Sequence, residues 1–433
     1  ERVNVISNAV ADCSYEADLA AVARVSYRVG RESSDTFQER HAGRIFMRSV
    51  PWPPAHIDPD YLAEYRRLNL VHYNSWYEII ETSGTGTADA AVQAFNLRTL
   101  LTNDPENRLP VTQPAGYNRE ALIRDLETRV NWDSRIPGTK LPNHKTYWNL
   151  PELLGVQTDY VEGDWAKRQQ VREAHAQLTL SLLYFLQTDE SIPEAIRNNW
   201  RNWGLPKDEF PDNDHLPYEI YMRETRRIIG REVFTEHDAL PVSGMKRAPV
   251  HSDAIGITEW FLDSHACTPE KVPGSIWEGE LLLKNITVPG QVSWHTLLPV
   301  DLDNLLVPVC LSSSHIGWGA IRLEPTWMAL GEAAAWAMIL ATQDEIPPAA
   351  VKTDALQRQL AEQRIMLSFF NDVEHDTHTD WYTAIQYLGT QGYFGSYDAL
   401  PGVPLRRPLA ESWARHTAAR LRLGFFLRFG DED

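Results

Sequence analysis

Three histidines sit in settings that suit proton transfer: His265 in the run DSHA, His295 in VSWHTLLP and His315 in SSSHIG. Imidazole has an ordinary pKa close to neutrality, so each is a candidate catalytic base that could take a proton from a bound substrate. Each could equally be a structural hydrogen-bonding group. A second chemical feature is the block from Asp303 to Ala341. It reads as a strand, DNLLVPVC, a turn of small residues, SSSHIGWGAIRLEP, and an Ala-rich helix, TWMALGEAAAWAMILA. A strand feeding a tight turn and a helix amino terminus leaves backbone N–H groups unpaired, which forms a cradle for anionic oxygen. The same pattern also describes an ordinary strand–helix unit with a buried helix.

Other groups read more simply. Asp208, Glu209, Asp212 and Asp214 form an acidic loop, and Arg223, Arg226 and Arg227 follow as its expected ion-pair partners. Trp148, Trp200, Trp203, Trp260, Trp277 and Trp294 crowd the middle of the chain, where they could line a pocket for a sugar or aromatic ring or pack a core. Cys13, Cys267 and Cys310 are too few for a disulfide framework and are wrongly spaced for zinc, so no metal site is expected.

The elements that must position these groups follow from periodicity. Residues 2–12 read as a strand, followed by a helix from Asp18 to Val25. Prolines make loops of residues 49–60, 102–116 and 204–217. Asn118 caps a helix from Arg119 to Val130. The clearest helix runs from Asp164 to Thr188, with Val171, Ala174, Leu178, Leu182 and Phe185 on one stripe. Strands are expected at 277–287 and 304–310, and Pro325 opens a helix from Thr326 to Ala341. Helices at 352–366 and through the last 65 residues complete the chain.

Several of these segments, taken in order, resemble the FAD-dependent oxidoreductases of the glutathione-reductase-like class, to which the label xanthan lyase is often attached. ADCSYEADLAAVARVSYRVGRES, from Ala11 to Ser33, resembles the family segment DATYEGDL. Residues 92–110, 144–155, 203–230 and 261–266 match further motifs, and 303–341 resembles the carboxy-terminal flavin motif. The resemblance covers about residues 5 to 345. It implies FAD as cofactor, with Asp12, Cys13 and Ser14 at a strand end beside it. Ser313 and Ser314 would lie in the turn after the last strand, and Ile321, Arg322, Glu324 and Pro325 in the flavin-facing loop. Arg322 would stabilise reduced anionic flavin. Cys13 stands where the family has alanine, and Ala17 where it has glycine. Nothing in the sequence looks like lyase machinery.

The resemblance implies an α/β fold: an FAD/NAD(P)-binding-like domain with a large inserted α+β substrate domain and a helical appendix. The expected division is 1–48 with 280–345, then 49–279, then 346–433. The pyrophosphate of FAD needs a G-x-G-x-x-G turn after a first strand. Gly84-Thr85-Gly86 lacks the strand and the last glycine, and reads as a loop. The expectation is therefore that the nucleotide half, roughly 150 residues, lies upstream or on a partner chain. Residues 367–411 resemble a single surface-layer-homology module and read as a helical appendix packed on the body. These features leave two other readings open: a cofactor-less carbohydrate-binding or cell-surface protein, and one subunit of a split flavoenzyme. The net charge of −18 argues against nucleic acid, and no apolar run approaches a membrane span. Substrate, electron acceptor and localisation are not readable.

Overall fold

The computed structural model describes residues 4–243, 246–374, 379 and 381–429, with side chains to 420. Mixed helices and small sheets make up the architecture, consistent with an α/β FAD-binding-like fold. Each sheet among the described residues is two-stranded. Among the named strands of the described residues one pair is parallel, Val10–Ala11 beside Leu305–Leu306, and an isolated bridge between Phe234 and Ser313 is parallel as well. Val10 N donates to Asn304 O at 2.9 Å and Asp12 N to Leu306 O at 2.8 Å.

Residues 4–9 of the expected first strand do not pair, and Val5 and Ile6 are exposed; residues 2 and 3 lie outside the described residues. Pairing stops where no partner lies alongside, because isolated extended chain gains nothing from propensity alone. Beyond the pair, Asp12 Oδ2 accepts from Ala20 N at 2.9 Å, which satisfies the start of helix Asp18–Val22. Ala17, where the family has glycine, takes a left-handed φ of 54°. A Cβ is unfavourable in that conformation, so the position is one that glycine would fill without strain.

The clearest sequence helix is confirmed as Trp165–Thr188, with Asp164 accepting from Lys167 N at 2.8 Å. Leu178, Leu182 and Phe185 of its stripe pack with Leu101, Leu122, Leu126, Trp148 and Trp200 in one core, whereas Val171 joins Val92, Phe95 and Leu97 in another. Asn118 likewise caps Arg119–Thr128. The largest core gathers the antiparallel pair Ala254–Thr258 and Gly290–Ser293 with helices His315–Ile321, Glu324–Gln343 and Thr353–Glu362. After it, Gln291 Nε2 ties residues 367 and 368 to this body.

Of the expected strands 277–287 and 304–310 only Leu281–Leu282 and Leu305–Leu306 pair, because no partner runs alongside the rest, and the turn after them also differs from the sequence reading. The small-residue turn is largely a helix, His315–Ile321, because Ser314 Oγ accepts from Gly317 N at 2.9 Å and caps it. Glycine is a poor helix former, yet here two glycines admit backbone-to-backbone packing. A Cβ on Gly317 would lie 2.6 Å from Phe234 O, and one on Gly319 would lie 2.7 Å from Asp263 N. No helix among the described residues is long and apolar enough to cross a membrane.

Candidate functional site

Helix His315–Ile321 and the antiparallel pair of Asp263–Ser264 with Leu281–Leu282 bring two of the three candidate histidines together. His315 lies inside the protein. Its Nδ1 is 2.8 Å from Glu224 Oε2, and its Nε2 is 3.2 Å from Ser264 Oγ and 4.0 Å from Cys267 Sγ. Burial alone would depress the imidazole, but the Glu224 carboxylate outweighs it and holds the pKa up at about 10. His315 is therefore cationic at neutral pH, with both nitrogens engaged. Ser264, His315 and Glu224 form a line reminiscent of an activated nucleophile, but all three are sealed from solvent.

His265, one residue beyond Ser264, is placed differently. Its Nδ1 is 2.5 Å from Glu152 Oε1, and no hydrogen bond engages its Nε2 among the described residues. Glu152 is fully buried, and it also accepts from Asn131 and faces Arg223 Nη1 at 3.2 Å. Burial opposes its charge, but the Arg223 charge and the hydrogen bonds from His265 and Asn131 outweigh it and hold the carboxyl down at about 2. The His265 pKa is lowered, first by burial and then by the Arg223 charge. The result is a neutral imidazole with Nδ1–H fixed on a carboxylate and Nε2 available, the arrangement of an oriented base.

Across the ladder from His265 stands Glu280. Ser264 pairs with Leu281, and Cys267 N donates to Glu278 O at 2.9 Å, so the register places 265 opposite 280. Burial, together with the Glu152 and Asp263 carboxylates, raises Glu280 to about 8. Asp263 in turn binds Arg322 Nη2 at 2.8 Å and Trp260 Nε1 at 3.2 Å.

The residues that the resemblance assigns to the cofactor divide into two groups. Asp12, Ser313, Ser314, Ile321 and Arg322 are buried. Asp12 and Ser314 cap helices, Arg322 pairs with Asp263 rather than Glu324, and Ser313 Oγ is buried without a partner. Ser314 Oγ also donates to Glu39, a carboxyl that burial raises to about 7. Cys13, Ser14, Glu324 and Pro325 reach the surface. Tyr15 OH donates to Glu324 Oε1 at 3.4 Å, and its ring meets Trp327 edge-on, so the Cys13–Tyr15 segment lies against the start of helix Glu324–Gln343. That 20-residue helix has no side-chain cap. An uncapped positive helix end beside an exposed segment suits the anionic edge of a reduced flavin. The Gly84-Thr85-Gly86 amides do not offer a phosphate seat: Thr85 N and Gly86 N both donate to Arg44 O.

His295 lies apart from these groups, with Nδ1 2.6 Å from Asp253 Oδ2. Its hydrogen bond to Asp253 raises its pKa. With Glu232 it makes a group whose ligand-type atoms all lie within 4.8 Å of one another. The acidic loop and the arginines do not pair as the sequence suggests. Asp208 and Glu209 hold Lys145, whereas Arg223, Arg226 and Arg227 face Glu152, Asp18 and Glu32. Trp148, Trp200 and Trp294 are core. Sequence reasoning missed Glu152 and Glu280, whose only signal is position beside motif histidines in space. It also missed Arg98 and Tyr221, which line a cleft next to Ser14 and Tyr15.

A family model described as FAD dependent oxidoreductase matches residues 1–360. No curated protein and no solved structure matches the chain.

Proposed function

The chain belongs to the FAD-dependent oxidoreductases, and from that premise we propose that it supports hydride transfer from an organic substrate, a carbohydrate among the candidates, to FAD. The flavin supplies the two-electron chemistry when bound. The protein's part is to bind, orient and move a proton. On this reading His265 takes the substrate proton at Nε2. Glu152 fixes its tautomer, and Arg223 helps keep it neutral and ready to accept. Glu280, protonated at neutral pH and opposite His265 in the strand register, can return a proton. His315, a buried cation, and His295 are both paired with carboxylates and have structural roles on this reading. The flavin-facing residues would be Cys13 and Ser14 at the strand end, and Glu324 and Pro325 at the uncapped helix start, with Asp12, Ser313, Ser314, Ile321 and Arg322 holding that surface in shape.

In this scheme residues 1–48 and 280–345 form the cofactor side, 49–279 the substrate side, and 346–433 the appendix. The nucleotide half would come from an upstream segment or a partner chain. The observation that carries the reading is the His265–Glu152 pair, a base oriented by a buried carboxylate within a flavoenzyme family motif. The absorption spectrum of the protein from its native source tests it. A flavin band at about 450 nm that bleaches anaerobically with substrate is the expected result. A colourless protein with glycan affinity would refute the reading in favour of a carbohydrate-binding role.

A further inference from the structure

We propose that the cleft walled by Ser14, Tyr15, Glu16, Arg98, Tyr160 and Tyr221 binds a sugar acid, with the ligand carboxylate on Arg98. The cleft has a volume of about 580 Å³ and opens beside the Cys13–Tyr15 segment. Arg98 is the reason for expecting an anion. Arg31, Arg168, Arg223, Arg226, Arg227 and Arg322 each have a carboxylate oxygen within 3.2 Å. Arg98, in contrast, forms no salt bridge or hydrogen bond among the described residues, and its Nε is buried without a partner. Its guanidinium instead lies flat on Tyr221, 3.7 Å from the ring centroid, with Tyr147 at 5.5 Å. Stacking fixes the plane and leaves the edge free, which is the presentation a carboxylate engages with two parallel bonds.

The walls indicate what carries that carboxylate. Trp165 stands at the rim with 76% of its surface exposed. An indole face held in water at a cleft mouth suits the C–H face of a pyranose. Inside, Glu16 accepts from Tyr160 OH at 3.2 Å, Glu219 is solvent-facing, and Tyr15 and Tyr160 contribute hydroxyls. These are partners for ring hydroxyls. Arg168 lies close enough to Glu16 to offset its charge. A neutral sugar would leave the Arg98 charge unanswered in a partly buried place. A purely aromatic acid would desolvate Glu16 and the tyrosine hydroxyls without replacing their hydrogen bonds. That the bound sugar acid is also the compound oxidised rests on the flavoenzyme reading above, whereas its binding does not.

Titration calorimetry on the full natural protein, with a matched ligand pair, tests the site. Methyl α-D-glucopyranosiduronate should bind at least about tenfold more tightly than methyl α-D-glucopyranoside, the effect of one charge-assisted pair. Arg98→Gln should remove that preference and leave the glucoside affinity within about twofold, while Arg98→Lys should keep part of it, since lysine supplies charge without the fork. Equal affinities in the wild type, or an undiminished preference in Arg98→Gln, would overturn the proposal. So would benzoate binding as tightly as the uronate. A uronate that binds but never bleaches the flavin band would support the site and count against the oxidation reading. A colourless protein that still prefers the uronate would do the same.

Discussion

Replacing His315 by glutamine removes a positive charge from the protein interior while leaving a donor near Glu224. Glu224 keeps Gln93 N at 3.2 Å and Arg227 Nε at 3.2 Å, but loses its 2.8 Å partner. The imidazole titrates at 6.5 when unfolded and at about 10 in the native state. Its folded-state pKa is raised, so its contribution to stability is complete below pH 6.5 and is lost as pH rises through about 10. Between these limits the loss proceeds at about 1.4 kcal/mol per pH unit. The whole effect is bounded by the cost of breaking a buried ion pair, about 3–5 kcal/mol. Urea unfolding followed by tryptophan fluorescence measures it. His315→Gln should be about 3–5 kcal/mol less stable at pH 6, and the two curves should approach each other as pH rises toward 10. Curves that run parallel from pH 6.5 to 10 would refute the assignment of His315 as a native-state cation.

Three further outcomes are expected. His265→Gln should slow anaerobic flavin reduction by about 10²–10⁴-fold in stopped-flow absorbance while leaving flavin content unchanged; in the wild type the rate should fall only below pH 6.5, because the His265 pKa is lowered and the neutral form is the one that works. Gly319→Ala should cost at least about 1–3 kcal/mol in urea denaturation, since the new Cβ meets the Asp263 backbone at 2.7–3.1 Å and not a yielding side-chain tip. Asp164→Ala should cost about 1 kcal/mol by the same assay, through the lost cap on Lys167 N, and Asp164→Asn should restore most of it.

What the sequence disclosed was local. Helix Trp165–Thr188 was legible because one cap and a period of 3.6 residues agree over 24 residues. The parallel pairing of Val10–Ala11 and Leu305–Leu306 was approachable only through the family segments that flank it. The His315–Ile321 helix was misread because its glycines are chosen for contact with Phe234, Thr235 and Asp263, a tertiary requirement that overrides propensity. The histidines were named, but their roles depend on Glu152 and Glu224, which lie 113 and 91 residues away from their partners. No spacing rule reaches that far. Arg98 was passed over for a related reason: a cation becomes conspicuous only once it is seen to form no ion pair among the described residues.

The pairing of the first strand also governs the order in which the molecule can assemble during synthesis. Tyr15 O and Cys310 Sγ are in contact, although 295 residues separate them. At a translation rate of roughly 5–20 residues per second, the first strand emerges about 15–60 s before its partner exists. The core around helix Trp165–Thr188 is under no such delay, because its buried members from Leu101 to Trp200 all emerge in one stretch. This middle region can close first and serve as the platform on which the two distant strands meet. Until they do, Val10 and Ala11 remain an unpaired edge that the nascent chain must keep from other partners.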